Sequence, residues 1–280
     1  MTDLVRPPDP VGARRQGAVR AFAELVQSRG RPGFTVRELL SEAALPGRAA
    51  WDQLRRLEKA GGVRRVTPRH DYYLIVAPEY RAVGAPPVQW WLGPYFAAIG
   101  QPYYLALLSA AAHYGAAHQA IQATQVMVQK PRRPLALGRV RIQFFVKRTM
   151  PITPVARIPA DYSVLNVSSP DATLLDLVRY AKRLGGVARA LQVISELVGR
   201  CTSGGLQEAL DRDDAVANAQ RVGFMLEACG AEPLARAVER WLRSRRMLPV
   251  PLVPAGRAAL ALPEHQRWRI LVNAKLQSAA

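Results

Sequence analysis

The sequence predicts an α+β protein: an N-terminal winged helix-turn-helix followed by a larger mixed α+β, mainly helical domain. Three observations lead there. Residues 34–76 read as two short helices, a Gly61-Gly62 stop and a basic two-stranded ribbon. A Pro- and Gly-bearing stretch at 78–87 then separates that module from the rest of the chain. Beyond it, β-rich segments between residues 125 and 167 give way to helical periodicity. A chain of 280 residues has room for about two domains, predicted at 12–80 and 88–276.

The N-terminal module is legible piece by piece. Pro7, Pro8 and Pro10, with Arg14 and Arg15, read as a loose leader without an apolar signal core. Thr35 followed by Glu38 is a capping box, and Val36, Leu39 and Leu40 give the next helix its apolar side. Pro46-Gly47 breaks that helix. Arg48 to Ala60 forms the next, with Ala50, Leu54 and Leu57 on one stripe and Arg48, Asp52, Arg55, Arg56 and Lys59 opposite; Trp51, bordering the stripe, is expected in the core. Val63–Val66 and Tyr72–Val76 read as strands joined by turn chemistry, a wing carrying Arg64, Arg65, Arg69 and His70.

A basic helix followed by a basic hairpin suits double-stranded DNA, with the helix in the major groove and the wing on phosphates. Arg48, Asp52, Gln53 and Arg56 are the candidates for base contacts, since Arg and Gln make paired hydrogen bonds to purine edges. Arg55, Lys59, Arg64, Arg65 and Arg69 are placed for phosphates, where they supply affinity and salt sensitivity. The competing reading is that the cations merely solvate an exposed face and that the wing docks a partner domain.

In the second domain, Pro102-Tyr103-Tyr104 is expected to open an Ala- and Leu-rich helix to about Tyr114. Gln125–Gln129 and Val140–Lys147 read as strands, the latter alternating Val140, Ile142, Phe144 and Val146 with Arg141, Gln143, Phe145 and Lys147. These basic strands span 125–148, with Lys130-Pro131-Arg132-Arg133-Pro134 as the loop between them. Another strand is expected at Tyr162–Val167, and Ser169-Pro170-Asp171 then supplies a cap, a first-turn proline and an acid at the dipole's positive end of a helix. Helices come next at about Ala172–Lys182, Val187–Gly199, Ala215–Cys229 and Glu232–Arg246, with strands near Pro249–Val253 and Trp268–Asn273.

The formal net charge is +18, so polyanions are favoured partners. Half of that excess lies between Glu79 and Asp161, where nine Lys or Arg occur without one acid. Such a segment cannot hold a carboxylate pair for general acid–base or metal chemistry. It can hold a polyanion. Lys130, Arg132, Arg133 and Arg141 are its candidate contacts to DNA backbone, RNA or a partner protein, with a solvated loop as the plain alternative.

Catalytic and metal sites are not expected. Cys201 and Cys229 are the only cysteines and lack ligand spacing, which argues against disulfide and zinc and for a reducing cytoplasm. No apolar run approaches a membrane span. His113 and His118 have no neighbouring carboxylate and read as structural, as does Asp176. Asp211, Asp213 and Asp214 read as a loop before a helix, explained by the N-terminal charge preference. No catalytic constellation or cofactor motif is present, so a nuclease reading lacks its carboxylates.

The ordered blocks YYLALLSAAAHYG from Tyr103, QVMVQKPRRP from Gln125, RIQFFVKR from Arg141, VSSPDATLLDLVRY from Val167 and AQRVGFMLEACG from Ala219 resemble the AbiEi family of type IV antitoxins. With a winged helix ahead of them, the resemblance spans roughly Arg14 to Asn273. It implies a bacterial abortive-infection, phage-defence protein that represses its own operon at inverted repeats in promoter DNA. It further implies a cognate nucleotidyltransferase toxin, countered directly or only functionally, with Lys130, Arg132, Arg133 and Arg141 as possible contacts. The alternative is a winged-helix regulator with a ligand-sensing or dimerising second domain and no toxin partner.

Overall fold

The computed structural model describes residues 17–43, 45–117, 121–254 and 262–276; the leader prolines, Arg14, Arg15 and His118 lie outside them. Helix α1 (Ala18–Ser28) turns Val19, Phe22, Ala23 and Val26 inward at i, i+3, i+4 and i+7 spacing. Strand β1 (Gly33–Thr35) runs into α2 (Val36–Glu42) through the expected capping box, in which the Glu38 N–H donates to Thr35 Oγ1 (3.2 Å) and the Thr35 N–H to Glu38 Oε2 (2.7 Å). Helix α3 (Gly47–Lys59) stops where Gly61 takes φ +73°, a conformation glycine adopts without a Cβ penalty.

Strands β2 (Val63–Thr67) and β3 (His70–Ile75) form an antiparallel hairpin, and the sheet order is β1-β3-β2. Helix, strand, helix, helix, strand, strand with that pairing is the winged-helix arrangement. Phe34 centres its core, edge-on to Phe22 at 5.2 Å and stacked on Tyr73 at 6.2 Å.

Helix α4 (Val88–Ala98) packs on β1 and β3. Gly93-Pro94 reads as a breaker in sequence, yet Pro94 lies inside the helix. Trp91, Leu92, Tyr95 and Phe96 are buried there; at ~1.5–3 kcal/mol each, their burial outweighs the ~3 kcal/mol an internal proline costs.

By contacts the chain forms two units. One holds the chain up to Gln101 with Pro134–Ile142 and Pro159–Leu165; the other holds Pro102–Arg133, Gln143–Ile158 and the chain from Asn166. Strands β4 (Tyr103–Leu105), β5 (Thr124–Val128), β6 (Leu135–Leu137), β7 (Val140–Val146), β8 (Val155–Ala160) and β9 (Ser163–Ser168) lie in the order β6-β7-β5-β4-β9-β8. The helix expected from Tyr103 is therefore a strand first. Tyr104 pairs with Met127 of β5 and Leu105 with Val167 of β9, and only then does α5 (Leu107–His113) begin. Sheet contacts here override the Ala-rich periodicity.

Helices α6 (Pro170–Arg179), α7 (Val187–Leu197), α8 (Ser203–Asp213), α9 (Val216–Ala228) and α10 (Glu232–Leu242) make up most of the second unit. Helix α6 is its hub, packed against α5, α7, α8 and α9 with Asp171 to Val178 all buried. Its start is as the sequence predicts: the Ala172 N–H donates to Ser169 Oγ (3.1 Å) and Pro170 occupies the first turn. Strands β10 (Val250–Pro251), β11 (Glu264–His265) and β12 (Ile270–Leu271) add a small sheet ordered β10-β12-β11. Trp268 beside it is fully buried against α9, where a Cβ on Gly223 would lie 2.2 Å from the indole.

Candidate nucleic-acid interface

Helix α3 presents Arg48, Asp52, Arg55, Arg56 and Lys59 to solvent and buries Ala50, Gln53 and Leu54. Gln53 is thereby removed from the base-contact set. It is 8% exposed, and its Oε1 accepts the Val19 N–H of α1 at 3.3 Å. Residues 50, 53, 54 and 57 obey the i, i+3, i+4, i+7 rule of a buried stripe, the signal that places Gln53 inside. Asp52 lies 4.0 Å from Arg55, both exposed, a pairing worth at most about 1 kcal/mol and readily exchanged for a ligand. Arg56 Nε donates to the Asp52 carbonyl at 3.3 Å. Trp51 is half-buried against the Phe34 core, as expected.

The wing is held to α3 by a residue the sequence does not single out. Glu58 Oε1 accepts the Arg65 N–H at 3.0 Å, tying the end of α3 to β2. Arg64 and Arg69 are exposed; like Arg48 and Lys59, they form no ion pair among the described residues. Arg65 differs: its guanidinium binds the Asp71 carboxylate and reaches the His70 carbonyl at 3.4 Å. His70 is half-buried, its Nδ1 within 3.1 Å of Thr67 Oγ1 and 3.2 Å of the Tyr95 hydroxyl, so it anchors the wing on α4.

Within the acid-free segment, Lys130 and Arg133 are exposed and Arg132 lies over the Phe144 ring at 5.8 Å. Arg141, exposed on β7, folds onto its own hairpin, donating to the Gly138 carbonyl and, at 3.1 Å, to that of Val140. Lys147 departs from its expected place. It is buried, 2.9 Å from Asp176 and 3.2 Å from Asp213, and the Tyr104 hydroxyl donates to the other oxygen of Asp176 at 2.8 Å. Arg179 completes the group, 2.5 Å from Asp213. The Asp211–Asp214 cluster is thus no loop before a helix. Thr202 caps α8 at Gly205, the helix runs to Asp213, and that carboxylate faces inward rather than a dipole. Asp176 has the structural role expected of it.

Elsewhere the ionisable groups behave as packing groups. Burial pushes the Cys201 thiol well above its usual range, and the neighbouring Asp171 carboxylate adds to it. Burial also raises the Asp171 carboxyl, although it accepts the Thr202 N–H at 3.0 Å. No group of three or more His, Cys, Asp or Glu among the described residues could hold a metal ion.

Residues 104–228 match the family model of the AbiEi antitoxin C-terminal domain. The chain carries an AbiEi antitoxin domain. That places it among the antitoxins of toxin–antitoxin systems, a family of antitoxins rather than enzymes, and implies a toxin as partner. The Lys147 network and the hub helix α6 both fall inside the AbiEi domain, whereas α3 and the wing precede it. Among solved structures the chain is similar in fold to the RV2827C protein from Mycobacterium tuberculosis, with a TM-score of 0.59 and 16% identity over 90% of each chain. No curated protein matches it. Among the described residues no helix is long and apolar enough to cross a membrane.

Proposed function

We propose that this chain is an autoregulating type IV antitoxin of an abortive-infection system. Its winged helix binds inverted repeats in the promoter of its own operon, and its AbiEi domain counters a nucleotidyltransferase toxin encoded beside it in the cytoplasm. The observation that carries the reading is one chain joining the exposed Arg48, Arg56 and Lys59 face of α3, with the Arg64 and Arg69 wing, to an AbiEi antitoxin domain. Cations without protein counterions at a groove-sized helix are what counterion release requires.

The test uses the full chain and a variant with Arg48→Glu and Arg56→Glu. The native chain is expected to retard a fragment of its own upstream DNA and to restore growth when the adjacent toxin is expressed. The variant is expected to lose the retardation and keep the rescue. A native chain that does neither overturns the reading. A native chain that binds the promoter but never rescues is a regulator without a toxin, and a variant that loses both activities denies the separation of roles.

A further inference from the structure

From a cavity in the AbiEi domain that the antitoxin reading does not use, we infer a binding site for a single pyrimidine nucleotide. The cavity encloses about 220 Å³ between β5, β7, α5 and α7 and is lined by Gln122, Gln125, Gln143 and Arg189, with Leu108 and Ile121 as apolar walls. No Asp or Glu lines it among the described residues, so cations and metals are poor ligands and neutral or anionic ones are favoured. Its size is below the roughly 300–1,000 Å³ of drug-sized sites, which limits it to about one ring with a small substituent.

The polar lining is built and oriented. Gln125 is 7% exposed, and its Oε1 accepts the Leu108 N–H at 2.8 Å, which fixes which end of the amide is donor and which acceptor. That bond depends on Leu107, fully buried yet held at φ +55°, a conformation a leucine rarely adopts. Backbone strain of this kind concentrates where a ligand is clamped. Gln143, on β7 next to β5 in the sheet, is half-buried and forms no side-chain hydrogen bond among the described residues. Carboxamides present a donor and an acceptor side by side, the complement of the amide-like edge of a pyrimidine, while Leu108 and Ile121 suit the ring faces. The Arg189 guanidinium supplies the charge to pair with a phosphate.

Calorimetric titration of the full chain with UMP, uridine and ribose 5-phosphate decides the matter. UMP and uridine are expected to bind at one site and ribose 5-phosphate not to bind. Gln143→Leu should weaken both ligands about tenfold, the scale of one well-made hydrogen bond. Arg189→Ala should weaken UMP and leave uridine unchanged, and the Arg48→Glu, Arg56→Glu variant should bind both as the native chain does. Thermal unfolding of each unliganded variant separates loss of the site from loss of the fold. Absence of saturable binding by UMP and uridine overturns the site. So does equal binding of ribose 5-phosphate, which would mark a bare phosphate site, or binding indifferent to both Gln143→Leu and Arg189→Ala.

Discussion

Replacing Lys147 with Met should destabilise the AbiEi domain far more than losing a surface charge would. Lys147, Asp176 and Asp213 have side-chain exposures of 3%, 0% and 3%, so all three ionise out of reach of bulk water. In the variant Asp213 keeps Arg179 at 2.5 Å, while Asp176 keeps only the Tyr104 hydroxyl at 2.8 Å. One buried carboxylate is left without a counterion, and stranding such a charge costs about 3–5 kcal/mol. In Asp176→Asn, Lys147 still has Asp213 and the Tyr104 hydroxyl still has an acceptor, so the expected loss is about 1–3 kcal/mol. The double variant strands no charge and should be more stable than Lys147→Met alone. Native-state hydrogen exchange of the α6 amides reads this unit by itself. A coupling near zero, with the two single losses adding within about 0.5 kcal/mol, would refute the network. So would a Lys147→Met loss below about 1 kcal/mol, the level of an exposed pair.

Arg56→Ala should weaken binding to the operator by ~1–3 kcal/mol while sparing random DNA, whereas Arg64→Ala should weaken both equally and flatten the salt slope by about 0.9; titrations at several salt concentrations that show the reverse reject the assignment. Burial alone would raise the Glu38 carboxyl, but the Thr35 N–H, Arg31 and the Thr35 hydroxyl hold it below its ordinary 4.5. A lowered folded value means its contribution is present above the unfolded value and lost as pH falls through the folded one. Acid unfolding of the winged helix should therefore be less steep below pH about 4.5 in Glu38→Gln, and an unchanged acid limb would count against it. Gly223→Ala should cost about 1–3 kcal/mol by overpacking, because its Cβ would meet the Trp268 ring; an unchanged melting temperature would show that the indole moves aside.

The winged helix was readable because its determinants are local. Thr35 and Glu38 are three residues apart, Gly61 ends α3, and the apolar stripe of α3 repeats at helical spacing. The elements that escaped depend on partners distant in sequence. Tyr103 to Leu105 carry no local mark of a strand; β5 and β9 make them one. Helix α4 hides behind Gly93-Pro94, and Gly204-Gly205 hides α8, since propensity reports only the unpacked chain. The candidate DNA face suffers one such miss. Gln53 has the chemistry of a base-reading residue but the position of a core residue, and only its bond to Val19 reveals which applies.

The acid-free segment from Glu79 to Asp161 changes meaning for the same reason. Its cations read in sequence as polyanion contacts, yet Lys147 is inside. Because the segment has no acids, a buried lysine on it must take its counterions from elsewhere in the chain. They come from Asp176 on α6 and Asp213 on α8, so the ion pairs tie β7 to two helices. Successive strand residues face opposite sides, so slipping β7 by one residue would carry Lys147 to the other face. Both carboxylates would then remain buried, with Asp213 holding Arg179 and Asp176 holding only a hydroxyl. Apolar neighbours such as Phe144 and Phe145 tolerate that exchange far better than a stranded charge does. The missing acids thus work in two ways: they leave Lys130 and Arg133 exposed for a partner, and they make the pairing of Lys147 a condition on the register of the sheet.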